Sequence, residues 1–352
     1  MVVVVCFSLE GLLCLRERYR TAIGGVYPEI FYQHEQLRHT LIPNATHYGR
    51  VAVNSLGFRG PEITLEKPPN TIRIVCMGGS TTFDTYVSSN DKTWTQRLEA
   101  LLKQKFDLAN IQVINAGVPG YRVLDNLINL QTRLLVLNPD IIIDYDGHND
   151  VQANRNIYLS KNLRLGEVKT LDPIIKFLQE KSLLYQKATL ALRYFEAARE
   201  SEKSRRYDVV SETGLANFER VLSLLVYSSQ RNGITVILPR VVTGFRKEMP
   251  SAEQVENAKW AFHFMRHLTL KGIFDGYDRY NQVIKKVAHE YGALYIDETA
   301  KISDGHEYFA DGIHFTDKGA ELVAKIIGDE ILKRGLLHDV LSRRQQRTMH
   351  SN

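Results

Sequence analysis

Five short apolar runs alternate with stretches of helical periodicity, and that alternation constrains the fold more than any other feature of the chain. The runs are Ile72–Met77, Ile111–Asn115, Asp140–Asp144, Ile234–Pro239 and Ala293–Asp297. Helices are expected between and after them: Thr93–Phe106, Val123–Leu137, Gly214–Asn232, Tyr277–Tyr291, and a last one starting near Thr316. Nearly continuous apolar strands separated by helices predict a parallel sheet covered on both faces, because an antiparallel sheet with one wet face would alternate apolar and polar residues. Pro68-Pro69-Asn70 punctuates the start of this domain.

The organisation expected from this pattern has four parts. Residues 1–20 hold an apolar N-terminal segment, and residues 21–70 form an irregular lead-in rich in Pro, Asn, His and Tyr. Residues 71–335 make the main domain. Within it, 151–210 interrupt the alternation as a helical insertion that includes Leu183–Ala198, and 243–275 form a second excursion. Residues 336–352 read as a basic, solvated tail through Ser342-Arg343-Arg344-Gln345-Gln346-Arg347. A net charge of +5 with dispersed basic residues disfavours nucleic acid as a partner. The three cysteines, Cys6, Cys14 and Cys76, provide neither a disulfide framework nor metal-ligand spacing, and Cys76 reads as a small core residue.

The residues that carry chemistry follow the strands. Ser80 lies in Cys76-Met77-Gly78-Gly79-Ser80-Thr81-Thr82, Gly120 in Asn115-Ala116-Gly117-Val118-Pro119-Gly120-Tyr121, and Asn149 in Gly147-His148-Asn149-Asp150. In a parallel α/β sheet, ligand chemistry gathers at the carboxyl ends of the strands, so these three segments converge. Far downstream, Asp311-Gly312-Ile313-His314 brings an acid and a base to one turn ahead of the last helix. A serine at a strand-to-helix turn is a nucleophile placed where backbone N–H groups favour negative charge. The Ser80 amide, the Gly120 amide and the Asn149 side chain are candidate donors to an oxyanion. Glycine at 120 lets a substrate approach the backbone, although Gly117 lies close by.

Each residue also has a plain structural reading. Ser80 could serve only as a helix cap, Asn149 as a turn residue, and His314 as a helix-end histidine. Two acidic clusters, Asp144, Asp146, His148 and Asp150, and Asp304, His306, Asp311 and His314, raise the question of a divalent metal, but neither has a recognised ligand spacing. The Gly78–Thr82 turn lacks the lysine of a phosphate-binding loop.

The four segments in this order resemble the SGNH/GDSL hydrolase family over roughly residues 71–330. The resemblance implies a three-layer α/β/α, flavodoxin-like fold with a helical insertion. It further implies a Ser80–His314–Asp311 triad, an oxyanion hole of Ser80, Gly120 and Asn149, and no metal or other cofactor. His148 departs from the small or apolar residues of some relatives at that position. The implied reaction is ester hydrolysis through an acyl-serine, by an esterase, lipase or O-deacetylase acting on a small-molecule, lipid or glycan ester. Two alternatives stay open: an acyltransferase that passes the acyl group to a sugar hydroxyl, and a catalytically silent carbohydrate-binding module.

The N-terminus gives conflicting signals. Met1–Leu15 is apolar apart from Ser8, Glu10 and Gly11, but it is shorter than the roughly 20 residues needed to cross a bilayer. It has no basic start or small-residue cleavage site of a signal peptide. The following Arg16-Glu17-Arg18-Tyr19-Arg20 favours a cytoplasmic position. Against this, Asn54-Ser55-Leu56-Gly57-Phe58-Arg59-Gly60 resembles a pattern of outward-facing, membrane-anchored relatives. The expectation is membrane association through the end of an anchor helix, the alternative being a helix packed on the domain or on the membrane surface.

Overall fold

A computed structural model of the chain describes residues 30–107, 109–154, 206–248, 251–302 and 305–351, with a few isolated positions besides. The expected N-terminal helix, most of the 151–210 insertion with its Leu183–Ala198 helix, and Asp304 lie outside the described residues.

Two short hairpins open the described chain: β1 (Phe31–Tyr32) pairs with β2 (Thr40–Leu41), and β3 (Thr46–His47) with β4 (Val51–Ala52). The main domain then runs through β5 (Thr71–Gly78), α1 (Ser80–Phe83), α2 (Trp94–Lys105), β6 (Asn110–Asn115), α3 (Val123–Asn129), β7 (Ile141–Tyr145) and α4 (His148–Ala153). Next come α5 (Glu212–Arg231), β8 (Thr235–Pro239), α6 (Ser251–Asn257), α7 (Lys259–Phe264), α8 (Leu270–Tyr291), β9 (Leu294–Ile296), α9 (Asp317–Lys333) and α10 (Leu336–Ser351).

The five strands of the main sheet lie in the order β6-β5-β7-β8-β9, all parallel. Ile74 of β5 stands opposite Val113 on one side and Ile141 on the other. Every residue of β5 and β7 is buried, as expected of central strands in a three-layer α/β/α sandwich, and their largely apolar runs follow from that. Cys76 is part of this core. Helices α2 and α9 pack together, while α5 packs on α3 and α8. The chain leaves β5 for β6 on one side and returns across it to β7 on the other. That reversal is the topological switch point at which α/β folds place their ligand sites.

Local chemistry sets the helix ends. Thr93, Thr269 and Thr316 each accept a hydrogen bond from the backbone N–H three residues on, capping α2, α8 and α9. Helix α8 begins seven residues before the expected Tyr277. Its early glycines serve close packing: a Cβ on Gly272 would lie 2.2 Å from the Tyr207 carbonyl, and one on Gly276 2.8 Å from Val151. The expected Val123–Leu137 helix is α-helical only to Asn129. It widens into a π turn over Leu130–Leu134, tightens over Leu135–Leu137, and stops at Asn138 (φ 52°) before Pro139.

Two expectations are corrected. Residues 336–352 are not a solvated tail as far as Ser351: they form α10, because Leu337 and Val340 are buried beside α9 and the basic residues make specific contacts. Arg344 pairs with Asp140 at 2.6 Å and Arg343 donates to Thr235, tying α10 to the amino-terminal edge of the sheet. Lys67 meets the same carboxylate at 3.0 Å. The lead-in, from residue 30 onward, is not irregular either. Ile30, Leu37, Leu41, Val51 and Val53 form a small core of their own with Phe83, Val118 and Tyr121 of the main domain. Within it, the Asn54 side chain accepts from the amides of Leu56 and Phe58 and donates to the Pro61 carbonyl, so the Asn54–Gly60 pattern is a self-bonded turn.

Candidate active site

Ser80 is the first residue of α1, at the point where β5 ends. The turn that presents it depends on the two preceding glycines. Gly78 sits at φ +150°, and a Cβ there would lie 2.2 Å from Thr82 Oγ1. A Cβ on Gly79 would lie 2.5 Å from the Asn149 side-chain nitrogen. The glycine pair therefore brings β5 and the start of α4 close enough for Ser80 and Asn149 to share one site.

His314 reaches this site from the loop ahead of α9. Its Nε2 is 2.7 Å from Ser80 Oγ, and its Nδ1 is 2.8 Å from Asp311 Oδ2. Asp311 Oδ1 also accepts the backbone N–H groups of His314 at 3.0 Å and Ile313 at 3.2 Å. The carboxylate thus fixes both the backbone and the ring of the histidine. Burial pushes the Asp311 carboxyl up, but the hydrogen bond and charge of His314 with the two amides hold it below the usual carboxylate range. An ionised Asp311 keeps the proton on Nδ1, which leaves Nε2 free to accept from the serine hydroxyl. The Tyr86 ring lies 5.2 Å from the imidazole, tilted against it.

Asn149, the second residue of α4, donates through Nδ2 to the Tyr121 carbonyl at 2.8 Å. An amide nitrogen carries two hydrogens, so one N–H remains for a ligand. Gly120 lies one residue before Tyr121 at φ +85°, and the amides of Gly120 and Ser80 have no acceptor among the described residues. Gly117 has a different role: a Cβ there would lie 2.4 Å from the Phe83 backbone nitrogen, so it serves the packing of its loop on α1. The five residues singled out in the sequence, Ser80, Gly120, Asn149, Asp311 and His314, are therefore carried at one end of the sheet by β5, β6, β7 and the loop before α9. Chemically, the arrangement offers a hydroxyl held by a base, a carboxylate behind the base, and N–H donors able to stabilise an anion.

The neighbouring acids have other occupations. Asp146 accepts from Asn126 Nδ2 at 2.8 Å, and Asp150 accepts from the Val123 amide at the start of α3. Burial raises all three carboxyls, that of Asp144 to about 7 and those of Asp146 and Asp150 well above the ordinary range. Among the described residues no group of three or more His, Cys, Asp or Glu is placed to hold a metal ion. His148 opens α4 and is buried, its Nδ1 3.1 Å from the Tyr277 hydroxyl. Burial and the nearby His314 lower its pKa to about 3, so the ring is neutral.

Three contributors were missed in the sequence, all from the lead-in. Arg59 is buried under the nucleophile's helix and donates to the carbonyls of Phe83 at 2.9 Å and Asp84 at 2.8 Å. Arg38 and His39 bind the Gly120 loop from outside. The acceptors they hold around the site are backbone carbonyls, which leave no trace in a side-chain pattern. The one available signal was the Asn54–Gly60 pattern, which contains Arg59.

Solved structures of similar fold include an acetylxylan esterase from Geobacillus stearothermophilus, at 17% identity over 74% of this chain and 94% of that one, with a TM-score of 0.46. Another is the lipase/acylhydrolase from Enterococcus faecalis, at 19% identity over 75% and 96% of the two chains, with a TM-score of 0.44. No curated protein matches the chain. The family model of GDSL-like lipases and acylhydrolases matches residues 76–322, which takes in every one of the five site residues, and the chain belongs to that family.

Proposed function

We propose that the protein hydrolyses carboxylic esters through an acyl-serine intermediate on Ser80. The observation that carries this reading is the continuous hydrogen-bonded line from Ser80 Oγ through His314 to Asp311, at 2.7 and 2.8 Å. As Ser80 Oγ attacks the ester carbonyl, His314 Nε2 takes its proton and then returns it to the departing alcohol. Asp311 stabilises the imidazolium formed between these steps. The negative charge on the carbonyl oxygen falls to the amides of Ser80 and Gly120 and to Asn149 Nδ2. Water, activated by the same histidine, releases the acid and restores the serine.

The test is a panel of p-nitrophenyl esters of increasing acyl length, with wild-type protein beside Ser80→Ala, His314→Ala and the double variant. Each single variant is expected to lose turnover by about 10⁴-fold or more, and the double variant little further, because the two residues act as one unit. An organophosphonate should label the wild type and leave Ser80→Ala unmodified. Wild-type-like hydrolysis by folded Ser80→Ala protein overturns the mechanism. The acyl preference across the panel separates a short-chain deacetylase from a lipase.

The sequence supports one finer proposal, membrane association through the apolar Met1–Leu15 segment. Among the described residues no helix is long and apolar enough to cross a membrane. Deleting residues 1–20 should move the protein from the membrane to the soluble fraction with esterase activity intact. A full chain already soluble on fractionation refutes it.

A further inference from the structure

The loop that carries Gly120 is held by side chains at three consecutive carbonyls. The Pro119 carbonyl accepts from His39 Nε2 at 2.7 Å, the Gly120 carbonyl accepts from Arg38, and the Tyr121 carbonyl accepts from Asn149 at 2.8 Å. Two of these three partners come from the lead-in segment, about eighty residues away in sequence.

The geometry of the loop shows what is at stake. The Tyr121 amide donates to the Val118 carbonyl at 3.0 Å, closing a four-residue turn with Pro119 and Gly120 at its centre. Gly120 at φ +85° makes it a type II turn, since the type I alternative needs a negative φ at that position. The two types differ by a flip of the central peptide, the one joining Pro119 to Gly120. In a planar trans peptide the C=O and N–H point in opposite directions, so the atom that holds the Pro119 oxygen also decides where the Gly120 N–H points. Glycine adopts both forms readily, and so does not by itself choose between them.

Resting on the ester-hydrolase reading above, we infer that His39 is a positioning residue of the active site: by holding the Pro119 carbonyl it keeps the turn in its type II form and aims the Gly120 N–H at the oxyanion. Because a carbonyl can only accept, His39 Nε2 carries the proton, and the neutral ring suffices as donor. The ring itself is fixed. It stands edge-on to Phe31 at 5.4 Å and to Tyr121 at 5.6 Å, and the Tyr121 hydroxyl donates to the His39 carbonyl at 2.6 Å. Arg38 completes the clamp by bridging the Gly120 carbonyl and the Asp125 carboxylate of α3, with Nε and Nη2 at 3.1 and 2.7 Å from its two oxygens. The lead-in is thereby part of the catalytic apparatus.

The test compares His39→Leu, which fills the space without a donor, with His39→Gln, whose side-chain amide can donate to the same carbonyl. Both are assayed on the ester panel in the full chain, with thermal melting alongside. His39→Leu is expected to lower kcat roughly 10- to 100-fold with KM within about twofold, as befits an interaction made only in the transition state. It should weaken inhibition by a phenylboronic acid, a tetrahedral mimic, by a similar factor. His39→Gln should recover kcat to within about fivefold of wild type. A His39→Leu protein with wild-type kcat and boronate affinity overturns the inference while the Ser80 mechanism stands. So does equal loss of kcat in the Leu and Gln variants in step with lowered melting temperature. A wild type inactive on every ester removes the reading beneath it, and this inference with it.

Discussion

Gly79→Ala is a sharp steric probe of the site. The residue sits at φ −91° and ψ −143°, outside the main regions open to alanine, so the substitution adds a backbone cost, read in the melting temperature, to a collision at the site. The added methyl would stand 2.5 Å from Asn149 Nδ2 and 3.2 Å from the Tyr121 carbonyl. Ordinary contact for such atoms is about 3.5 Å, so the Asn149 amide must retreat by about 1 Å. That movement breaks its 2.8 Å hydrogen bond to Tyr121 and withdraws the remaining N–H from the oxyanion. A displacement of about 1 Å in a catalytic group costs roughly 100-fold in rate, close to the loss expected from deleting the donor. The assay is kcat on a p-nitrophenyl ester for Gly79→Ala, Asn149→Ala and the double variant, with melting temperature as a control. Because Asn149→Ala removes the nearest colliding atom, adding Gly79→Ala to it should cost far less kcat than it does in the wild type, while the Tyr121 carbonyl contact and the backbone cost persist in both backgrounds. Gly79→Ala within threefold of wild type, or an equal penalty in both backgrounds, refutes the assignment of Asn149.

Acid stability should depend on His148. Its folded pKa of about 3 lies below the ordinary 6.5 of a histidine, so the unfolded chain binds the extra proton in that window. The contribution is complete above pH 6.5 and is lost as pH falls toward 3, on the order of 5 kcal/mol in all. Urea unfolding of wild type and His148→Leu at pH 7 and pH 4 should show a smaller difference between the two pH values in the variant; parallel losses would refute it. At the opposite end of the sheet, Asp140→Ala takes away the carboxylate shared by Lys67 and Arg344 and should cost about 3 kcal/mol in urea unfolding while kcat stays within twofold. A loss of kcat in that variant, measured on protein confirmed folded, would show that the two ends of the sheet are coupled.

The parallel sheet was readable because burial on both faces leaves mostly apolar residues in β5 and β7, with Arg73 and Asp144 the charged exceptions. The site was readable because Ser80, Gly120, Asn149, Asp311 and His314 carry their chemistry in their own side chains or in glycine. The hairpins β1–β4 were not readable, since two-residue strands show no periodicity. The true start of α8 was hidden by glycines that serve packing, and α10 by basic residues that drew attention from Leu337 and Val340. The roles of Arg38, His39 and Arg59 rest on backbone acceptors distant in the chain, which only the folded arrangement brings within reach.

Ser80 and His314 are 234 positions apart, and every crossover of the sheet lies between them. Contacts spanning such a distance carry a large loop-closure cost and form late in folding. The serine is therefore synthesised and set beside β5 long before its base exists, and stays an unremarkable alcohol until the last third of the molecule docks. Hydrolytic power thus reports completion of the whole tertiary structure, and in refolding it should return more slowly than the helical circular-dichroism signal.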